Sequence, residues 1–147
     1  MEIYSAGFTE WSAEQFFGAL TENQIQRLID VRLRPNSQLA GFAKQRDFRF
    51  FLKTVCGIEY EHRLELAPTE DLLNAYRSNS IPWNKYEDDY LDLIRSRAVE
   101  SIFTPNEFTI PTVLMCSEHK PEKCHRRVAI EYLNQSWSMK IEIVHIT

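Results

Sequence analysis

The five residues at positions 112–116 constrain the fold more than any other part of the chain. They read Thr-Val-Leu-Met-Cys, a continuous apolar run in which polar and apolar residues do not alternate. Strands buried on both faces have this pattern, and they occur almost only in parallel sheets that helices cover. The run therefore predicts an α/β protein built around a parallel sheet.

Four further short strands are predicted around this run, at residues 3–8, 28–32, 58–62 and 141–146. Segments with helical spacing separate the strands, and Ser12, Thr69 and Pro121 mark three of the helix starts. Right-handed crossovers between parallel strands then predict a mostly parallel five-stranded sheet with helices on both faces. The simplest strand order is 3-2-1-4-5, with the first, second and fourth strands central and the third and fifth toward the edges.

Length and composition fit one α/β domain over residues 1–147. Hydrophobic residues make up 44% of the chain and charged residues 26%, which excludes disorder as the main state. The net charge of −4 argues against a broad basic face for nucleic acid, although it leaves room for a local basic pocket. No apolar run approaches the length that spans a membrane, so no membrane partner is expected.

The three cysteines, Cys56, Cys116 and Cys124, are too few for a disulfide scaffold. Their odd number and the absence of a signal-like segment in residues 1–8 predict a cytoplasmic protein in a reducing compartment.

The segment 116–127, Cys-Ser-Glu-His-Lys-Pro-Glu-Lys-Cys-His-Arg-Arg, is the richest in chemistry. It joins the fourth strand to a helix expected to begin at Pro121. Four basic residues lie near this helix start, namely Lys120, Lys123, Arg126 and Arg127, where positive charge opposes the helix macrodipole. A phosphate or carboxylate bound there would explain the cluster.

Helical phase separates the residues of this helix. Arg126 falls at the margin of the buried face, His125 points toward the sheet, and Arg127 lines up with Glu131 toward solvent. Arg126 and His125 are therefore the stronger site candidates. The alternatives are that His125 is a hydrogen-bonded core residue and that Arg126 forms an internal ion pair with an acidic residue.

The two cysteines of the segment also have two interpretations each. Cys124, near a helix start and cations, is a candidate nucleophile as a thiolate, whereas Cys116 ends a buried strand and could be a small core residue. Seven residues separate the two, and adjacent Cys124 and His125 point about 100° apart on a helix, so no metal or other cofactor is expected.

Ligands of parallel sheets bind beyond the carboxyl ends of the strands. This rule, together with the basic segment, predicts the ligand-binding residues Asp30, Arg32, His62, Cys116, Glu118 and Arg126, with Cys124 and His125 as candidates for catalysis. A second basic segment follows Arg32 and includes a predicted loop with Ser37. A buried Asp30 needs a partner, which Arg32 or Arg126 could provide.

The chain resembles the family called domain of unknown function 488 over nearly its whole length. The resemblance rests on Asp-Val-Arg at 30–32 and on Cys-x-x-x-x-Pro-x-x-Cys-His-Arg-Arg at 116–127. It implies an α/β fold and supplies no reaction. Many members have a Gly-Gly pair after the third strand, where residues 64–68 here read Leu-Glu-Leu-Ala-Pro.

Two classes of function follow. The first is a small enzyme or sensor that binds a phosphate-bearing small molecule, such as a nucleotide, with Cys124 or His125 chemically active. The second is a module that binds nucleic acid or a modified base without catalysis, through the basic loops and the aromatic residues Phe42, Phe48, Trp83 and Tyr86. A closed pocket favours the first class and an open basic groove the second.

Overall fold

The computed structural model describes residues 1–36 and 41–147. The predicted loop residue Ser37 therefore lies outside the described residues. Five strands form one sheet, namely β1 (Glu2–Gly7), β2 (Arg27–Asp30), β3 (Glu59–His62), β4 (Thr112–Cys116) and β5 (Glu142–Ile146). Every neighbouring pair of strands is parallel, so the predicted parallel α/β sheet is confirmed.

The strand order is β3-β2-β4-β1-β5, so the predicted order 3-2-1-4-5 is wrong in its centre. Strand β4 lies between β2 and β1, where Val113 is in register with both Leu28 and Tyr4. All five residues of β4 are buried, whereas β1 begins with the exposed Glu2. The most apolar strand thus takes the middle position of the sheet, with two strands on each side. The predicted edge positions of β3 and β5 are confirmed.

Six α-helices lie between the strands in the described residues, namely α1 (Ala13–Glu22), α2 (Gln45–Phe51), α3 (Glu70–Arg77), α4 (Trp83–Ser96), α5 (Val99–Ile102) and α6 (His125–Trp137). Ser12 caps α1 in a capping box with Gln15, and Thr69 caps α3 through the amide of Leu72. Both predicted helix starts are confirmed, because each hydroxyl accepts a hydrogen bond from an amide that the helix leaves unpaired.

Helix α2 continues into a π-helical segment, Leu52–Cys56. A π turn holds one more residue than an α turn, so side chains after it rotate away from the positions that α-helical spacing predicts. Val55 is accordingly 67% exposed, although it lies three residues after the buried Leu52, a spacing that would place both on one face of an α-helix. Gly57 ends the segment in the left-handed region, at φ 67°, which an L-residue with a side chain adopts only at a cost.

Alternate residues of β4 contribute to two separate hydrophobic clusters. Leu114 and Cys116 belong to a cluster with buried residues of α4 and α6, such as Tyr90 and Val128. Val113 and Met115 belong to a second cluster with residues of α1 and α2, namely Phe16, Leu20 and Phe48. No helix in residues 1–36 and 41–147 has the length and apolarity needed to cross a membrane.

Gly7 ends β1 beneath the backbone of the segment that follows β4. A Cβ atom placed on Gly7 would overlap the carbonyl oxygen of Glu118 and lie 3.0 Å from Arg126 Nη1. The glycine is required here because backbone atoms occupy the space that a side chain needs.

Substitution Gly7→Ala is expected to lower the free energy of unfolding by about 2 kcal/mol or more, since backbone must move to relieve the overlap. Gly18→Ala, in helix α1, is the matched control: its added Cβ meets no atom within 4 Å. That variant should be neutral or stabilising by up to about 1 kcal/mol. Urea denaturation of both variants measures the difference, and equal stability would contradict the close approach at Gly7.

Candidate functional site

The carboxyl end of the sheet carries two groups of polar residues. The first is centred on Asp30, which is fully buried at the end of β2. Arg32 Nε donates to Asp30 Oδ1 at 2.9 Å and Nη2 donates to Oδ2 at 2.7 Å, and the Tyr60 hydroxyl donates to Oδ2 at 2.6 Å. Burial, followed by the nearby Asp30 charge, raises the pKa of Tyr60 well above its ordinary value. The partner that buried Asp30 requires is therefore Arg32, joined by Tyr60.

Arg32 and His62 are held by the same group. The Arg32 guanidinium lies over the ring of Phe8, 5.1 Å from its centroid, and the Arg32 carbonyl oxygen is 2.6 Å from His62 Nε2. Most polar atoms of Asp30, Arg32 and His62 thus form hydrogen bonds with other groups of the protein.

The second group is centred on Arg126, whose side chain is fully buried. Its Nε donates to Ser5 Oγ at 3.3 Å, and its Nη1 contacts Cys116 Sγ at 3.2 Å. Nη1 also donates to the carbonyl oxygen of Glu118, and Nη2 to that of His119 at 3.0 Å. Among the described residues no carboxylate lies within ion-pair distance of Arg126, and burial lowers the pKa of its guanidinium to about 10.

Arg127 binds the same segment from its other side. It donates to the carbonyl oxygens of Pro121 and Glu122, both at 3.2–3.3 Å, and pairs with Glu87 and Glu131. Its side chain is 18% exposed, so the predicted solvent-facing position is wrong, although the predicted neighbour Glu131 is its partner. The two arginines together hold four backbone carbonyls of residues 118–122.

These carbonyl contacts account for two of the four basic residues near the start of α6, the arginines. The helix begins at His125 with Cys124 as its N-cap, so the predicted start at Pro121 is wrong. Residues 117–123 form an irregular segment instead, because both guanidiniums take up its carbonyl groups. Contacts within the protein therefore replace the external anion as the explanation for Arg126 and Arg127.

Cys116 and Cys124 are paired through their sulfur atoms as a disulfide, with Cα atoms 7.8 Å apart. Both residues are 2% exposed, and Cys56 is free. The number and spacing of the cysteines in the sequence do not indicate this pair. The available signal was their placement: one ends a strand and the other caps the helix that follows, so both lie at the same end of the sheet.

His125 connects the two polar groups. Its Nε2 lies 2.9 Å from the carbonyl oxygen of Val31, the residue before Arg32, and its ring packs edge-on against Tyr90 with centroids 5.3 Å apart. Burial lowers the pKa of His125 to about 4, so the imidazole is neutral at pH 7 and Nε2 donates to the carbonyl. The predicted orientation of His125 toward the sheet is confirmed.

A small cavity of about 80 Å³ opens beside this group. Its wall is aromatic: Trp83 and Tyr86 stack with centroids 5.3 Å apart, and Tyr76 lies 4.8 Å from Tyr86. The exposed cations Arg77 and Lys123 also line it. We refer to this cavity as the aromatic pocket, lined by Leu73, Tyr76, Arg77, Trp83, Tyr86, Cys116, Ser117, Glu118, Lys123, Cys124 and His125.

The predicted site residues divide between this pocket and the protein interior. Cys116, Glu118, Cys124 and His125 line the aromatic pocket, whereas the other predicted residues, Asp30, Arg32, His62 and Arg126, are not among its lining residues. Sequence reasoning missed Tyr76 and Arg77, because no pattern shows that α3 reaches the carboxyl end of β4. Trp83 and Tyr86 were expected only in the nucleic-acid interpretation.

Comparison with known proteins agrees with the motif on which the resemblance rests. The sequence profile of the family described as domain of unknown function DUF488 matches residues 12–133. The chain belongs to this family. No curated protein and no solved structure is significantly similar to it. Within the described residues of this DUF488 protein, no three His, Cys, Asp or Glu side chains are grouped so that they could hold a metal ion.

The first prediction from this site separates the two arginines. Arg126→Met is expected to lower the free energy of unfolding by about 2–4 kcal/mol, because buried carbonyls lose their donors. Arg127→Met, whose partners are closer to solvent, should cost about 1 kcal/mol. Urea denaturation compares them, and an equal loss for the two variants would show that Arg126 is not the main tether of the segment.

The second prediction concerns pH. An unfolded chain binds a proton at His125 near pH 6.5, whereas the folded protein binds it only near pH 4. The unfolded state therefore holds more protons between these values, and stability should fall as pH decreases through this window. His125 alone accounts for about 3 kcal/mol of this loss. Urea denaturation at several pH values should show a shallower loss for His125→Gln than for wild type; parallel curves would contradict the assignment.

Proposed function

We propose that this DUF488 protein binds a small anionic molecule, carrying a phosphate or carboxylate group, in the aromatic pocket. The observation that carries the proposal is the combination of an aromatic wall with two cations in one cavity at the carboxyl end of the sheet. Ligands of open parallel sheets bind beyond this end.

The two cations supply the attraction for an anion. Within the part of the chain that the structure describes, neither Arg77 nor Lys123 forms an ion pair with a carboxylate. Glu118 is the one acidic residue of the lining. A phosphate or carboxylate group between Arg77 and Lys123 gains charge-assisted hydrogen bonds from both.

The size of the pocket limits the ligand. Ligand sites that enclose drug-sized molecules measure about 300–1,000 Å³, and an apolar cavity that encloses benzene measures about 150 Å³. A cavity of about 80 Å³ holds only the anionic group. A ring of a larger ligand, such as the base of a nucleotide, would lie across the half-buried Tyr76 and Trp83 at the mouth.

The nucleic-acid alternative has less support. An extended strand needs an open basic groove with exposed rings for stacking. Phe48 is fully buried in the core, and the aromatic pocket is small and concave. The proposal also takes residues 1–147 as one domain with helices on both faces of the sheet, which the two clusters that share β4 support. A cytoplasmic location remains a prediction from the sequence.

Isothermal titration calorimetry with inorganic phosphate, benzoate and adenosine monophosphate tests the proposal. We expect binding at millimolar concentration or tighter, and a loss of about tenfold for Lys123→Ala or Arg77→Ala, the value of one charge-assisted contact. Lys120→Ala is the matched control, since Lys120 lies in the same segment but does not line the pocket.

Two results would contradict this function. One is that none of the three probes binds, and the other is that Lys120→Ala weakens binding as much as Lys123→Ala. Tight binding of single-stranded DNA with a steep dependence on salt would favour the nucleic-acid alternative instead.

A further inference from the structure

We propose that Cys116 and Cys124 form a peroxide-reactive redox pair, in which Cys116 is the attacking thiolate and Cys124 the resolving cysteine. The oxidant is hydrogen peroxide, which enters through the aromatic pocket. The proposal goes beyond the anion-binding function and does not depend on it.

The charge of Arg126 assigns the attacking role. A buried cation is costly unless an opposite charge compensates it, and no carboxylate within the described residues forms an ion pair with this guanidinium. Its other contacts are a hydroxyl and two carbonyl groups, all neutral. Cys116 Sγ, 3.2 Å from Nη1, is the one contacting atom that can carry a negative charge. In the reduced protein Arg126 therefore stabilises Cys116 as a thiolate, the reactive form.

The position of Cys124 assigns the resolving role. Its sulfur is paired with that of Cys116, and the Cα atoms are 7.8 Å apart, wider than the roughly 4.4–6.8 Å usual for disulfides. A reactive cysteine next to a resolving cysteine is the arrangement found in reversible redox sensors.

The aromatic pocket selects the oxidant by size. Both cysteines are 2% exposed, but both line the cavity of about 80 Å³. A water molecule occupies about 30 Å³ in the liquid, so the cavity admits hydrogen peroxide but not a bulky disulfide such as oxidised glutathione.

The reaction balances without a cofactor. The Cys116 thiolate attacks one oxygen of hydrogen peroxide, the O–O bond breaks, and the leaving hydroxide takes a proton to become water. The resulting Cys116 sulfenic acid is attacked by Cys124, which forms the disulfide and releases a second water. Two thiols have then lost two electrons to one peroxide. A small dithiol reductant returns the pair to thiols by exchange and is itself oxidised to a disulfide.

The test uses the full chain, in which Cys56 is an internal control because it is free and half-buried and has no cation contact in the described structure. The protein is reduced, freed of reductant and treated with equimolar hydrogen peroxide at about pH 6, then alkylated and mapped by mass spectrometry. We expect a Cys116–Cys124 disulfide that forms at least about tenfold faster than Cys56 oxidises. Oxidation of Cys56 at an equal or greater rate, or survival of both other thiols, would overturn the proposal.

Variants and trapping test the two roles. In Cys124→Ala, Cys116 should accumulate as a sulfenic acid that dimedone traps, whereas Cys116→Ala should react slowly and give little adduct at Cys124. Circular dichroism confirms that the variants fold. If either does not, dimedone added during oxidation of the wild type should label Cys116 transiently. Dimedone labelling of Cys124 instead of Cys116 would contradict the assigned roles. Faster oxidation of the cysteine pair by oxidised glutathione than by hydrogen peroxide would contradict the proposed oxidant. Failure of the proposed cysteine roles or of the proposed oxidant leaves the result of the anion titrations unchanged, so the two proposals can fail separately.

Discussion

The guanidinium of Arg126 is the interaction on which the carboxyl end of the sheet depends. It lies in the protein interior, where burial of a charge is destabilising. It donates hydrogen bonds to Ser5 in β1 and to the carbonyls of Glu118 and His119. One side chain of α6 thereby joins a central strand to the segment that precedes its own helix. The carbonyl of Glu118 approaches β1 so closely that only glycine fits at position 7. The requirement for Gly7 and the burial of Arg126 thus have one cause, the position of the Glu118 carbonyl over the end of β1.

The strand order explains why these residues meet. With β4 between β1 and β2, Cys116 is in register with Gly7, and Val31 donates its amide to the carbonyl of Met115. The segment after β4 can then cross over the end of β1, while His125 reaches Val31 on the other side. In the predicted order, β1 would have stood between β2 and β4, and His125 could not have reached the residue after β2 so directly.

The sequence predicts well what local patterns determine. Short apolar or alternating segments identify the five strands, and hydroxyl caps at Ser12 and Thr69 identify two helix starts. The uninterrupted apolar run of β4 indicates a central strand. Such patterns do not state which central strand is the middle one, because β1, β2 and β4 are all largely apolar. Each of these three strands has a neighbour on both edges, so the choice depends on long-range pairing across the whole sheet.

The candidate site was predictable in position but not in its contacts. The rule for carboxyl ends placed Cys116, Cys124 and His125 correctly at one end of the sheet. Helical phase placed Arg127 beside Glu131, but it does not show that Glu87 and the carbonyls of Pro121 and Glu122 cover the rest of this side chain. The aromatic wall comes from α3 and α4, far away in the chain, and long-range packing of that kind leaves no local signature.

Basic residues at a helix start do not by themselves indicate a bound anion. Here the unfavourable position of two arginines relative to the helix dipole is offset by backbone carbonyls of the preceding segment, which are also electronegative and already held close by the chain. Carbonyl groups neutralise no charge, however, so the formal charge of buried Arg126 stays uncompensated by them. The carboxylates of Glu118 and Glu122 favour the charged form of Arg126 without forming an ion pair with it, and the sulfur of Cys116 is the contacting group that can carry a negative charge. The arrangement that weakens the first case for an external anion is the one that makes a cysteine thiolate physically reasonable.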